Sequence, residues 1–147
     1  MTREEQAQAE RDAWQRFMEV VERVPADRRD ERTVVPDWSV KDLVWHNAYW
    51  ALYGAEEITR QAGSAFVDPF AGDEEGYGDR VNAEQVETGR SLTWDQVVAR
   101  AEQHRTQAHE LWAALGDVSD EAATFFAEET SVHYQEHGAE IDRFLEG

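Results

Sequence analysis

The chain has 147 residues, six of them Trp, a formal net charge of −18 and no cysteine. That length suits one core, so a single domain spanning 1–147 is expected, without disulfides, thiolate metal sites or a cysteine nucleophile. With no basic patch to release counterions and no apolar run near the ~20 residues of a membrane span, neither nucleic acid nor a membrane is an expected partner. Residues 1–11 are polar and lack the apolar centre of a signal peptide, so the expected location is cytoplasmic.

Four stretches carry helical periodicity. The first covers residues 3–24, with Trp14, Phe17, Val21 and Val24 as its apolar stripe and Pro25 after its end. The second begins at Ser39, an N-cap residue with Asp42 three positions on, and runs to about Arg60; Trp38 and Leu43 can staple that cap. Residues 61–92 hold Gly63, Pro69, Gly72, Gly76 and Gly78 and read as a long connection with a short helix inside residues 82–88. A connection of that length joins two parallel neighbours across a bundle. The third helix begins at Thr93, with Gln96 at the capping-box position, and turns Val97, Ala101, His104, Ala108, Leu111 and Leu115 inward. His109 reads as solvated on its outer face. The last helix covers residues 120–145. The fold expected is all-α, a four-helix bundle running up-down-down-up, with a long crossover between helices two and three.

The last helix places Phe126, Thr130, His133, His137, Ile141 and Phe144 on one stripe, at spacings of four, three, four, four and three. An i, i+4 histidine pair aims two imidazoles at one point, as helical metal sites do. In the second helix Leu43, His46, Trp50 and Tyr53 also share a face. His46 lies about 10 Å past the cap at Ser39, and His137 about 12 Å before the far end of its helix, at 1.5 Å per residue. In antiparallel helices these depths coincide. A divalent metal held by His46, His133 and His137 is one reading; hydrogen-bonded core histidines are the other. His104 is either core or a partner behind the ligands.

The run from Trp38 through His46 to Trp50, the run Thr130–Ser131–Val132–His133–Tyr134–Gln135–Glu136–His137, and Asp79–Arg80–Val81–Asn82 ahead of a Ser–Leu–Thr–Trp helix start together resemble the DinB/DfsB-like superfamily. That superfamily includes thiol-dependent transferases and mycothiol-dependent maleylpyruvate isomerase N-terminal domains. The resemblance implies a three-histidine metal centre with open coordination positions, and frequent homodimers. The bulky Trp45 directly before His46 departs from the pattern and either narrows the site or packs outward. Trp14, Trp94 and Trp112, more than one core is expected to bury, also point to a homodimer.

Imidazole ligands suit zinc, nickel or iron, and affinity is expected to fall below about pH 6.5, where free imidazole takes a proton. Without cysteine, any thiolate must come from a low-molecular-weight thiol acting as co-substrate beside a small-molecule substrate. Glu140, three residues past His137, is the expected catalytic or supporting carboxylate; Glu129 and Glu136 lie close by, and Glu136 reads as solvated. Trp50, Tyr53 and Tyr134, with Tyr49, are expected to wall a cofactor or substrate pocket. Two functions fit: a metal-dependent transferase, isomerase or hydrolase acting on a small electrophile, and a non-catalytic stress-response or binding protein with a structural metal or histidine cluster.

Overall fold

The computed structural model describes residues 1–72 and 76–147. Among them the regular structure is helical and no strand forms. The elements are α1 (Arg3–Glu22), α2 (Val40–Arg60), α3 (Tyr77–Arg90), α4 (Trp94–Ala114), α5 (Asp120–Ala127) and α6 (His133–Glu146). A 3-10 turn occupies Ala26–Arg28, and a π-turn, Glu128–Val132, joins α5 to α6.

Local chemistry sets the starts. Capping boxes formed by Thr2 with Glu5, Ser39 with Asp42 and Thr93 with Gln96 close the first turns of α1, α2 and α4. Each satisfies backbone N–H groups that the helix itself leaves open. Residues 61–92 carry more helix than their glycines foretold. The short helix expected at residues 82–88 is α3, which extends from Tyr77 to Arg90. Its polar sequence hides it, because only Val86 and Gly89 are buried. Residues 73–75 of that connection lie outside the described residues.

Side-chain contacts align the helices. The start of α2 meets the start of α4, where Lys41 Nζ donates to the Leu92 carbonyl at 2.8 Å. Midway, Trp45 lies 5.5 Å from His104; at the far ends Gly63 abuts Asp117. The start of α1 meets the end of α4, with Arg3 bonded to the carbonyls of Leu115 and Gly116. Along α6, Tyr134 meets Glu10, Gly138 meets Phe17 and Asp142 pairs with Arg23. The last segment crosses α2 in the opposite sense, His46 against His133 and Gly54 against Glu129.

Two apolar clusters fill the interior. One gathers Phe17, Val21, Leu43, Val44, Tyr134 and Ile141; the other gathers Ile58, Phe66, Ala108, Trp112, Phe125 and Phe126. Trp112 stacks on Phe126 with centroids 4.1 Å apart. Burying each such side chain contributes about 1.5–3 kcal/mol. Trp14 and Trp112 are 4% and 1% exposed, and Trp94 packs on the first cluster under Arg29. The core of one chain therefore accommodates these indoles, and their number gives no ground for a dimer.

Candidate metal centre

A tight turn prepares the site. Trp38 N–H bonds to Val35 O at 3.0 Å, with Pro36 and Asp37 between them. Asp37 takes φ 73°, the left-handed value that a type II turn needs at its third position, after proline at the second. This turn delivers Trp38 to α2, where its ring lies 4.7 Å from that of His46. His46 projects from the second turn of α2 and is 5% exposed. His133 opens α6 directly after the π-turn, and His137 follows one turn later. Such turns insert one residue into a helix and are common at functional sites. Here Thr130, buried, returns its hydroxyl to Phe126 O at 2.7 Å.

The three imidazoles converge. Ring centroids are 4.6 Å apart for His46 and His133, 5.0 Å for His46 and His137, and 4.7 Å for His133 and His137. His46 Nε2 and His133 Nε2 approach to 2.8 Å, and one nitrogen from each ring lies within 4.8 Å of the others. Burial lowers all three basicities, holding His133 at about 3 and His46 well below 6.5. For His137 burial again dominates, partly opposed by Glu140. Neutral imidazoles are what a metal requires. His137 Nδ1 lies 3.1 Å from Glu140 Oε1; a proton on Nδ1 donated there leaves Nε2 free as a ligand atom. The donor set thus fits one divalent ion.

A cavity of about 530 Å³ opens against the triad. Trp38, Trp50, Phe70 and Phe125 supply aromatic wall, and Asp68, Glu128, Glu129 and Glu136 supply carboxylates. Asn82 on α3 accepts from Trp50 Nε1 at 2.7 Å and fixes the indole.

The expected site residues divide. Trp50 lines the cavity. Tyr53 sits behind it, 4.9 Å from Trp50 and 5.9 Å from Phe70, and lines a separate cleft with Trp45 and His104. Burial pushes its phenol up to about 12. Tyr134 does not wall the pocket as expected: it is fully buried against Trp14 and Phe17, with its hydroxyl donating to Glu10 at 3.0 Å. Glu140 stands behind His137 and is not part of the cavity wall. Glu136 is exposed at the cavity rim. Trp45 packs away from the triad against Gly89 and His104. His109, expected to be solvated, is half-buried, and its Nε2 lies 2.9 Å from the buried Glu10.

Glu129 is the residue that sequence reasoning undervalued. Burial, then the charges of Asp68 and Glu128, push its carboxyl up to about 8. Its position four residues before His133 was the available signal. Asp68 and Phe70 reach the cavity from a connection, where no periodicity announces them.

In the comparison with protein families, the model of the Mycothiol maleylpyruvate isomerase N-terminal domain aligns with residues 11–136. The aligned stretch contains His46 and His133 and ends one residue before His137. No curated protein and no solved structure was found to match the chain. With most of its length aligned, the chain belongs to the mycothiol maleylpyruvate isomerase N-terminal domain family, within the DinB-like superfamily.

Proposed function

We propose that this domain is a metal-dependent enzyme, a thiol-dependent transferase or isomerase acting on a small electrophile. His46, His133 and His137 hold the ion, of the zinc, nickel or iron kind, and a low-molecular-weight thiol serves as co-substrate. The observation that carries this reading is the cavity opening directly onto three converging neutral imidazoles. A purely structural histidine cluster has no need of such a cavity. The bundle is read as up-down-down-up, the arrangement that the paired helix ends support.

When bound, the ion would acidify a thiol and polarise a carbonyl of the electrophile. The chain's own groups do the rest. Trp50 and Phe70 hold the substrate's apolar body. Glu140 fixes the tautomer and rotation of His137. Glu129 keeps its proton at neutral pH and can donate it from a carboxyl oxygen to a developing anion in the cavity. The aromatic walls limit water around that transfer.

The test is metal analysis of protein purified without a nickel column, followed by zinc titration after chelation. One ion per chain is expected. Alanine at His46, His133 or His137 should abolish tight binding, while His104→Ala should retain it. Thiol consumption should require the metal-loaded form and fall in the same three variants. Unchanged metal content in all three would overturn the metal centre.

A further inference from the structure

The charge of the cavity wall is not explained by the histidines. Asp68, Glu128 and Glu136 line it beside the protonated Glu129, and no Lys or Arg stands among the described lining residues. A second cleft of about 320 Å³ adjoins it, sharing Asp68, Phe125 and Glu128 and adding Asp120 and Glu121. The two meet at these three shared residues and make an acidic trough beside the triad. Its carboxylates do not gather as a chelating set: among the described residues only the three histidines bring ligand atoms that close together. A compact metal ion is therefore a poor occupant for the acidic part. A spread-out organic cation fits better. Aromatic faces attract such cations, and Trp50 and Phe70, edge to face at 5.4 Å, stand on the same wall.

From this arrangement we infer that the trough selects a substrate carrying an ammonium or other organic cation, seated between Asp68, Glu128 and the Trp50–Phe70 wall, and disfavours dianionic substrates. This rests on reading the histidine-lined cavity as the substrate site. The cavity makes the site; the carboxylates set the charge it accepts. Two carboxylates at the neck repel an incoming anion, and the low-dielectric aromatic wall weakens the screening. A dianionic organic acid would have to bring its charge past them with no cationic side chain in the described wall to receive it.

The test uses benzyltrimethylammonium and phenylacetate as probes, followed by Trp fluorescence and calorimetry, on the full chain with and without one equivalent of zinc. The ammonium should bind at least about tenfold more tightly than phenylacetate, a preference of the size expected for aromatic and carboxylate recognition of a cation. Added salt should weaken it. Asp68→Asn combined with Glu128→Gln should remove most of the preference and leave zinc stoichiometry unchanged; circular dichroism confirms the fold. Equal or tighter phenylacetate binding would overturn the inference, as would an intact preference in the double variant. Zinc content is read separately, so loss of metal binding with the cation preference intact would count against the metal centre and not against this proposal.

Discussion

At the residue scale, burial decides protonation. His133 is held at about 3, while an unfolded chain titrates its histidines near 6.5. Between those values the unfolded state binds a proton that the folded state refuses, so stability falls as pH drops from 6.5 toward 3. For this one residue the metal-free protein should lose about 2 kcal/mol between pH 6.5 and 5, visible as a falling melting temperature. His133→Gln should flatten that limb. The same shift moves the expected loss of metal affinity to below 6.5: zinc should still be retained near pH 5.5, and half-loss between pH 6 and 7 would refute this. Glu129 acts in the opposite sense. Its folded value of about 8 lies above the unfolded 4.5, so its contribution is full below 4.5 and declines as pH rises through 8. Glu129→Gln should therefore gain stability relative to the parent on going from pH 5 to pH 8. An identical difference at both pH values would show that the carboxyl is ionised throughout.

At the element scale, what could be read from sequence was what local chemistry determines. The caps at Ser39 and Thr93 and the inward stripe through His133, His137 and Ile141 announce α2, α4 and α6, since each depends on neighbours within a turn or two. Matched depth along two helices was enough to bring His46 to the pair. The full span of α3 was not legible, because its stability comes from docking and not from an apolar stripe. Gly89 shows how: a Cβ there would lie 2.7 Å from Cγ and Cδ1 of Trp45. That indole is 4% exposed and has little room to retreat. Gly89→Ala should destabilise by about 1–3 kcal/mol, the usual consequence of overpacking, despite alanine's better helix propensity. It should also loosen Asn82 from Trp50, detectable as altered Trp fluorescence. A neutral or stabilised variant would mean that α3 shifts freely on α2. The π-turn was equally hidden, since Glu128–Val132 has no composition that distinguishes it from ordinary helix.

At the scale of the whole molecule, one buried carboxylate joins three helices. Glu10 of α1 is 1% exposed. It accepts from Arg105 Nε at 2.8 Å and Nη2 at 2.6 Å, lies 2.9 Å from His109 Nε2, and accepts from Tyr134 at 3.0 Å. Burial alone would raise its pKa; the bonds from His109 and Arg105 outweigh burial and hold it at about 2. In sequence His109 looks like solvated surface, because it is brought against Glu10 only by the packing of α4 on α1. Tyr134 directly follows His133, so this junction fixes the rotation of α6 while the helix presents its histidines elsewhere. Removing one partner of a buried pair is costly, and Glu10→Gln should destabilise by about 3–5 kcal/mol, as Arg105 is left without its carboxylate. The acid limb gives a second, independent reading. Glu10 titrates near 4.5 when unfolded, so its contribution is full above 4.5 and is lost as pH falls through 2, about 3 kcal/mol in all. Glu10→Gln should abolish that part of the acid sensitivity and leave the part between pH 6.5 and 5, which belongs to the histidines. It should also weaken zinc binding without abolishing it, since no ligand is lost and only the rotation of α6 is freed. Denaturant melts within about 0.5 kcal/mol of the parent, the range of an ordinary surface substitution, would show that Glu10 does not join these helices.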